Sequence, residues 1–542
     1  MMACLYSAGI ILSLNAAAFS GIIPDAAFER KLNEIKIEEA LLIDDEEENL
    51  LDASNRQKDD YPKDAKEELP ESYFSLNYDD REYVTSVKNQ GYTSLCWLYS
   101  SLGAIECDLL KHNDDLQADD LNLSEKHAGF YNMNKAEKSY TRGIDNDYRE
   151  FVYDGESDEW IGNYGTSYLS VGGVTDYAIS LFTAWKGPVK DTEENSFNII
   201  KGQTAIYTDN SEKPGKAYED PLCHVQGVYE VPGTIKNQDI IKRMIMEHGG
   251  ATCSICADNN YFTNHFSSLF DYKKYGGTNV ADHEVLIVGW DDSYKAENFV
   301  TRPEGDGAYI CKNSWGTGRG IKGYFYISYY DSILNNNNVV AYDCAMEGDD
   351  DYYDNNYQYA GFMTHTTDAI VDNKNVVYAY EDNCASYGAL YKAQGDEKLS
   401  AVGMFISKTN SDFLLDIYVV PKNINTDNDY LLLQVLGEPK LTMSIGALTG
   451  GYHTFKLDEA IDLNKGDRFI VMIKPGAPQK LIYEKAMDVT GEVNYDEWKH
   501  DLGAIHTHYE ASGHCFLIDE SGKYLVKQKD KDFFVKAYTI NK

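Results

Sequence analysis

The feature that most constrains this chain is residues 87–100, V-K-N-Q-G-Y-T-S-L-C-W-L-Y-S, which place a cysteine just before an apolar helical pattern. Apolar residues then recur at intervals of four, three and four positions, at Leu98, Leu102, Ile105 and Leu109. This spacing predicts an amphipathic helix with Cys96 in its first turn. There the helix dipole and the unpaired backbone N–H groups favour a thiolate over a thiol. Gln90, six residues upstream, carries a side-chain N–H that can donate to an oxyanion.

Two later stretches contain a candidate base and a residue that can orient it. His283 opens an apolar run in residues 282–290, D-H-E-V-L-I-V-G-W, and Asn313 lies in residues 309–318, Y-I-C-K-N-S-W-G-T-G. In Cys-His-Asn chemistry the imidazole takes the thiol proton while the amide oxygen holds the other ring nitrogen. A lone helical cysteine is more often buried and inert. The prediction of a nucleophile therefore rests on the three residues together.

These motifs resemble the papain family of cysteine peptidases, whose marks are V-K-N-Q-G, C-W, D-H-x-V and K-N-S-W-G in this order. The likeness covers about residues 69–330. It implies that Cys96 is the nucleophile, that His283 is the general base and that Asn313 orients the base. It also implies an oxyanion hole formed by the Gln90 side chain and the Cys96 backbone N–H.

A second set of residues is implied to bind substrate. Gly172 and Gly173, in S-V-G-G-V, resemble the glycine pair whose backbone receives the main chain of an extended peptide, a role that suits glycine because it has no side chain. The alternative is a plain turn that leads into a helix. By the same resemblance Trp315 shields the hydrogen bond between the base and Asn313, and Asp282 adjoins the base. We expect Gly172, Gly173, Trp315 and Asp282 to be the substrate-binding residues.

One block departs from the family pattern. The family reads C-G-S-C-W at the nucleophile, whereas this chain has Thr93, Ser94, Leu95, Cys96 and Trp97. A disulfide that commonly braces this loop cannot form from Thr93, and Ser94 in place of glycine narrows the wall beside the cleft. The departure does not exclude activity, but it changes the expected geometry of the substrate subsites.

The amino-terminal residues suggest export. Residues 1–18 hold an apolar segment, A-G-I-I-L-S-L, followed by A-A-A, which resembles a secretory signal peptide without its usual positive start. The alternative is an apolar segment that packs on the domain. Residues 19–68 are interpreted as a propeptide-like segment or a linker. We expect a secreted bacterial protein that is extracellular or at the cell surface. We expect no membrane span, because no later apolar run reaches about 18 residues.

Composition narrows the possible partners. The chain has 542 residues and a formal net charge of −39, so phosphate backbones repel it and nucleic acid is not an expected partner. The ten cysteines lack metal-ligand spacing, and the pair Cys253 and Cys256 lies in a run that predicts a buried strand. His224, His248 and His265 match no motif, and we interpret them as surface or satisfied histidines. No metal site and no cofactor are predicted.

The carboxyl-terminal part follows a different pattern. Residues 347–356 indicate a solvated acidic linker rather than a calcium loop, because their carboxylates lack the spacing of such a loop. Beyond it, short β-type runs recur at 401–406, 413–420 and 468–474, which predicts a β-sandwich over residues 357–542. This layout resembles the lectin-like modules that follow some bacterial papain-like domains.

The expected fold class is therefore α+β. Residues 69–346 are predicted to form a papain-like peptidase domain with two lobes, one helical and one resembling a β-barrel, and residues 357–542 an all-β sandwich. Every catalytic candidate precedes residue 330. The sandwich is therefore expected either to target the enzyme, with aromatic loops that suit glycans or protein surfaces, or to cover an apolar face of the first domain.

The predicted function is that of a secreted cysteine endopeptidase, which hydrolyses peptide or protein substrates through an acyl-enzyme on Cys96. One alternative is an amidase or acyltransferase that uses the same acyl-enzyme. Another is a surface-binding or adhesin-type protein that has lost activity. The intact set of Gln90, Cys96, His283 and Asn313 argues against that loss.

Overall fold

The computed structural model describes residues 57–58 and 68–542, with gaps at 78, 80, 92, 134–147, 153–168, 170–171, 198–213, 215–220, 258–266, 269–280, 361–377, 382–385, 478–480, 496–499 and 520. The signal-like segment 1–18, most of residues 19–68 and His265 therefore lie outside the described residues. None of the helices in the described ranges is long and apolar enough to cross a membrane.

All five α-helices of the described residues lie before residue 336. They are α1 (Cys96–His112), α2 (Glu125–Met133), α3 (Thr175–Thr183), α4 (Gln238–His248) and α5 (Ser332–Asn335). The first begins at Cys96, in agreement with the apolar spacing, and the four residues of that spacing are buried. The opposite face of α1 is buried as well, because strands and helices pack on all sides of it. α1 is therefore the central helix of the first domain.

The rest of the described chain is mainly strand. In chain order the strands are β1 (Gln57–Lys58), β2 (Ser72–Phe74), β3 (Tyr148–Val152), β4 (His224–Pro232), β5 (Ala251–Ile255), β6 (Ser267–Ser268), β7 (His283–Asp291), β8 (Ala308–Lys312), β9 (Tyr324–Ser328), β10 (Asn338–Ala345), β11 (Asn355–Tyr357), β12 (Tyr378–Glu381), β13 (Tyr387–Lys392), β14 (Glu397–Ile406), β15 (Ser411–Val420), β16 (Tyr430–Leu432), β17 (Leu441–Ala447), β18 (Gly450–Leu463), β19 (Arg468–Pro475), β20 (Leu481–Lys485), β21 (Met487–Tyr495), β22 (His500–Tyr509), β23 (Cys515–Ile518), β24 (Tyr524–Lys527), β25 (Lys531–Phe533) and β26 (Val535–Asn541). The runs predicted at 401–406, 413–420 and 468–474 lie within β14, β15 and β19.

One large sheet joins the two halves of the chain. Among the described residues its order is β11-β26-β14-β18-β4-β10-β5-β7-β8-β9-β6, with β2 paired to β7. β18, from the second half, pairs antiparallel with β4, and Gly451 lies opposite Tyr229. Gly451 has a φ of +106°, and a Cβ atom here would lie 2.0 Å from the Val228 carbonyl oxygen. Only glycine fits this crossing point.

The second half packs as a sandwich. A sheet of eight described strands, in the order β1-β17-β15-β19-β13-β23-β24-β16, faces the part of the large sheet formed by β14, β18 and β26. Both sheets contribute to one apolar core, which includes Leu415, Val471, Val402, Phe455 and Val535. The helices stay in the first half and the second half is all β. The predicted α+β fold class is therefore confirmed.

The stretch predicted as a solvated linker is only partly exposed. Residues 347–350 are exposed, but Tyr353 is buried. Asn355–Tyr357 forms β11 and pairs antiparallel with the last strand, β26. The predicted linker therefore ends inside the fold, and its last two residues are part of the large sheet.

Aromatic rings fill the contact between the two domains. The ring of Tyr538 stacks on Trp185 of the first domain at 5.5 Å between centroids, and on Tyr353 at 5.3 Å. The buried Lys536 ammonium donates to the Thr183 carbonyl at 2.6 Å, at the carboxyl-terminal end of α3. A cation is favoured there by the helix dipole. The second domain thus covers an apolar face of the first.

Tyr538→Ala should destabilise both domains together. Removing a buried aromatic ring costs about 3–5 kcal/mol of unfolding free energy, and this ring contacts residues of the first domain. We expect a lower urea midpoint and loss of hydrogen-exchange protection in the strands of both domains. Tyr524→Ala, at a tyrosine that is 41% exposed, is the matched control and should change stability by no more than about 0.5 kcal/mol. The shared interface is contradicted if Tyr538→Ala leaves the first domain with full protection.

Candidate active site

Cys96 occupies the first position of α1 and is almost fully buried. Among the described residues no side chain caps the helix at Leu95, and the first turn contains no acidic residue. The positive end of the helix dipole is therefore not offset by a local negative charge. This setting favours the thiolate form of Cys96.

The loop that precedes Cys96 is tied to the loop that follows β8. The Gln90 backbone N–H donates to the Ser314 carbonyl at 2.9 Å, and the Ser314 hydroxyl donates to the Gln90 side-chain oxygen at 2.5 Å. The Gln90 side-chain nitrogen donates to the Thr93 carbonyl at 2.7 Å. The amide of the predicted oxyanion-hole donor is thereby fixed at both its oxygen and its nitrogen.

His283 begins β7, and Asn313 directly follows β8, the antiparallel neighbour of β7. The two side chains meet at 2.9 Å between His283 Nε2 and Asn313 Oδ1. The Ser314 backbone N–H also donates to Oδ1, at 2.8 Å. A backbone N–H can only donate, so this amide atom is the oxygen and His283 Nε2 carries the hydrogen. The other ring nitrogen, Nδ1, then has the lone pair that can accept a proton from a thiol.

Trp315 lies over this pair. Its indole stacks on the His283 imidazole with 4.6 Å between ring centroids and 19° between the ring planes. His283 and Asn313 are buried, whereas Trp315 is half-buried. The indole thus covers one face of the imidazole, and its predicted shielding of the hydrogen bond stays a prediction. Its part in binding substrate stays a prediction.

Electrostatics favour a charged base. Burial by itself disfavours the imidazolium, but the contacts of His283 with Cys96 and Asn313, together with the charge of Asp282, raise the pKa of His283 above its ordinary value. Each of these contacts is stronger when the ring is protonated. The arrangement therefore favours an ion pair of Cys96 thiolate and His283 imidazolium, whose titration belongs to both groups.

The two predicted glycines lie immediately before α3. A Cβ atom on Gly173 would lie 2.5 Å from the indole of Trp97, so glycine is required where this segment passes α1. Gly172 has a φ of +78°, in the left-handed region that favours glycine. The pair therefore has a structural reason to be glycine. Its predicted contact with the main chain of a substrate stays a prediction.

The two sequence neighbours of His283 differ in their contacts. Asp282 accepts a hydrogen bond from the Ala257 backbone N–H at 2.6 Å, which fastens the start of β7 to the residues that follow β5. Its predicted part in substrate binding stays a prediction. Glu284 accepts from the Ser254 hydroxyl at 2.5 Å. Burial raises the pKa of Glu284 to about 7, which lessens the negative charge next to the base at neutral pH.

A buried charge network lies behind the catalytic loops, and the sequence analysis did not identify it. Lys88 Nζ donates to Glu106 at 2.9 Å and to Glu125 at 2.7 Å. The Thr85 hydroxyl donates to the second oxygen of Glu106 and accepts from Lys312 Nζ at 3.0 Å. Burial opposes charge on Glu106, but the two lysines lower its pKa. Glu106 is therefore an ionised carboxylate inside the domain.

The sequence contains a signal for this network. Lys88 belongs to V-K-N-Q-G and Lys312 to K-N-S-W-G, so the motifs that contain Gln90 and Asn313 each contain a lysine as well. Glu106, like Asp108, is a buried charged residue in a largely apolar helix. A buried carboxylate in the helix implies cations nearby. The two motif lysines are the candidates that this reasoning would have selected.

Comparison with known proteins identifies the families of the two domains. A profile of the papain family of cysteine proteases matches residues 167–348, and a profile described as lectin-like domain matches residues 367–539. The chain carries a papain-family cysteine protease domain and a lectin-like domain. The resemblance seen in the sequence is thereby confirmed. His283 and Asn313 of the cysteine protease domain lie within the matched residues, while Gln90 and Cys96 precede them.

The relatives of the cysteine protease domain are distant. The chain is 26% identical over 282 residues to a cysteine protease of Blomia tropicalis, covering 51% of this chain and 69% of that protein. It is 25% identical over 250 residues to procathepsin L of Felis catus, covering 46% of this chain and 59% of that protein. The chain thus spans between 59% and 69% of the length of these two relatives.

Two solved structures contain a similar pair of domains. One is a clostridial cysteine protease, Cwp84, after propeptide cleavage, with a TM-score of 0.58, 19% identity, and coverage of 87% of this chain and 99% of that one. The other comprises the cysteine protease and lectin-like domains of Cwp84, a surface layer associated protein of Clostridium difficile, with a TM-score of 0.58, 18% identity, and coverage of 88% and 90%. At this identity the similarity shows the fold of both domains.

Asn313→Ala should shift the pH dependence of activity. The Asn313 contact raises the pKa of His283, so its removal lowers that pKa and the imidazolium is lost at a lower pH. We expect the alkaline limb of the kcat/KM profile to move towards neutral pH, the acid limb to remain, and kcat to fall at least about tenfold, because the base loses its orientation.

The pH profile on a small peptide substrate is the measurement. Asn423→Ala, at an exposed asparagine of the second domain, is the matched control and should reproduce the wild-type bell shape. An unchanged alkaline limb in Asn313→Ala, or a wild-type rate that keeps rising at strongly alkaline pH, contradicts the ion pair.

Proposed function

We propose that this chain is an exported cysteine endopeptidase that acts at the cell surface. The observation that carries the proposal is the 2.9 Å hydrogen bond between His283 and Asn313, with Trp315 stacked on the His283 ring and Cys96 at the start of α1. This arrangement orients the base and leaves its Nδ1 atom to the thiol. It is the arrangement that a thiol nucleophile requires.

In the proposed reaction the Cys96 thiolate attacks the carbonyl carbon of a peptide bond. The oxyanion that forms accepts hydrogen bonds from the Gln90 side chain and the Cys96 backbone N–H. His283 then gives its proton to the leaving amine, the C–N bond breaks and a thioester on Cys96 remains. A water molecule loses a proton to His283 and attacks the thioester, which releases the carboxylic acid and restores the thiolate.

The proposal is tested by labelling with an epoxide inhibitor. Attack by the Cys96 thiolate opens the epoxide and leaves a stable thioether. We expect one adduct in folded, reduced protein, located at Cys96 by peptide mass spectrometry, and no adduct in Cys96→Ala. Cys107, on the same helix, is an internal control, because burial raises its pKa to about 12 and it should stay unlabelled.

The alternatives give different results. A catalytically silent binding protein gives no adduct at Cys96, and this outcome would refute the enzyme. An amidase or acyltransferase would also give the adduct, but analysis of the reaction products distinguishes these enzymes from an endopeptidase. Cleavage inside the members of a peptide library supports an endopeptidase, whereas transfer of the acyl group to an added amine, without internal cleavage, supports an acyltransferase.

For the lectin-like domain we propose attachment of the enzyme to glycan-rich material of the cell surface. The support is the profile match at residues 367–539 and the described structure of Cwp84, which is a surface layer associated protein. The interface between the domains supports a second role, which is structural. The sandwich covers Trp185, and its Lys536 donates a hydrogen bond to the carboxyl-terminal end of α3. Both roles fit a domain that holds the peptidase rigidly beside the bound surface.

Attachment is best measured with the full chain, because the interface makes truncation a test of stability rather than of targeting. The Cys96→Ala protein, which cannot digest the material, should sediment with cell-wall glycan, and a soluble form of the same glycan should release it. The targeting role is rejected if the protein remains in solution, or if it sediments equally with material from which the glycan has been removed.

A further inference from the structure

Three potential metal ligands meet at the end of α1 that is remote from Cys96. The side chains of Asp108, His112 and His248 bring one ligand atom each to within 4.8 Å of the others. Asp108 Oδ1 lies 2.6 Å from His248 Nδ1 and 3.0 Å from His112 Nδ1. The cluster is outside the catalytic site. The sequence analysis assigned no metal ligand, and it interpreted His248 only as a surface or satisfied histidine.

The secondary structure fixes the three positions. Asp108 and His112 are four residues apart in α1 and so share one face of the helix. His248 is the last residue of α4, and Gly249 ends that helix with a φ of +75°. The other carboxylate oxygen, Asp108 Oδ2, accepts the Cys344 backbone N–H of β10 at 2.9 Å. One carboxylate oxygen is thus anchored to β10, and the other faces two imidazole nitrogens.

The donor set selects the class of ion. Two imidazoles and one carboxylate are the ligands of zinc-type sites that keep a fourth position open, whereas calcium and magnesium prefer oxygen ligands alone. A tetrahedral ion with bonds of about 2.0–2.1 Å separates its ligand atoms by roughly 3.3 Å. The present separations of 2.6 and 3.0 Å between the carboxylate oxygen and the imidazole nitrogens need to open by less than about 1 Å. The two imidazole nitrogens lie within 4.8 Å of each other, so they need to approach by no more than about 1.5 Å.

We propose that Asp108, His112 and His248 bind a divalent transition-metal ion of the zinc class, with water in the fourth position. The ion enters past His112, whose side chain is 39% exposed, while Asp108 and His248 are buried. It joins the end of α1 to α4 directly, and to β10 through the carboxylate.

The charge of the site suits a cation. The Asp108 carboxylate places a negative charge between the two imidazoles. Asp343 lies nearby, since it accepts a hydrogen bond from Tyr229 at 2.9 Å and the Tyr229 ring is 5.2 Å from that of His248. The formal net charge of −39 also favours cations over anions at the surface.

Cobalt(II) binding to the full-length Cys96→Ala protein tests the site. This background removes the catalytic thiol, which would bind the same metals. We expect one equivalent of cobalt with visible d–d absorption and no thiolate charge-transfer band, and a rise in the melting temperature when zinc is added. His112→Ala should weaken binding at least tenfold. His508→Ala, at a histidine beside Asp488 and Glu510 in the second domain, is the matched control and should bind normally.

Each other outcome overturns the site. Absence of cobalt binding at millimolar concentration excludes it. Undiminished binding in His112→Ala would show that the ion binds at another site. A thiolate charge-transfer band would show that a cysteine is one of its ligands. Because His112 is exposed at a helix end, His112→Ala should fold. Its circular dichroism spectrum checks this, and His112→Gln, which keeps the length of the side chain, provides the second variant.

Discussion

Glu106 is an ionised carboxylate enclosed in the helix that begins with the candidate nucleophile, and the positions of the candidate catalytic loops follow from its neutralisation. An unpaired buried charge would cost several kcal/mol, so the helix can be buried only if cations reach Glu106. Those cations are Lys88 and, through Thr85, Lys312. One lies in the loop before Cys96 and the other at the end of β8. The interaction that permits burial of α1 therefore also brings the two catalytic loops together.

The positions of the candidate catalytic residues could be predicted because local patterns determine them. The spacing of apolar residues placed Cys96 at the start of α1, and the structure has the helix begin there. His283 and Asn313 are 30 residues apart in the chain, yet they lie on and next to neighbouring strands, since the residues between them extend the connection between β7 and β8. Sequence motifs and the spacing of apolar residues are sufficient to predict such positions where each element forms locally and a hairpin connects the elements.

The features that were not predicted depend on contacts between distant segments. Tyr353 stands in a stretch of aspartates and asparagines whose composition indicates a solvated linker, but its ring is buried against Tyr538, which is far along the chain. The pairing of β18 with β4 likewise joins segments more than 200 residues apart. Nothing in the local sequence of Gly450–Leu463 indicates which strand it will meet. Composition describes a segment alone, whereas burial depends on what covers it.

The continuous sheet changes how the second domain is understood. A tethered module would leave the peptidase lobe with an open strand edge at β4, and exposed edges invite pairing with other chains. β18 occupies that edge, and Lys536 occupies the end of α3. The lectin-like domain thus completes the hydrogen bonding of the first domain, whether or not it also binds a surface.

α1 connects the two ends of the peptidase domain mechanically. It runs from Cys96 to His112, and at 1.5 Å per residue its ends are about 24 Å apart. Along this length it is held by Glu106 near its middle and by Asp108 near its end, which bonds to β10 and to α4. A helix fixed at two points beyond its first turn cannot rotate about its own axis. The direction in which Cys96 presents its sulfur to His283 is therefore set by buried polar contacts up to three turns away, as well as by the loop that precedes it.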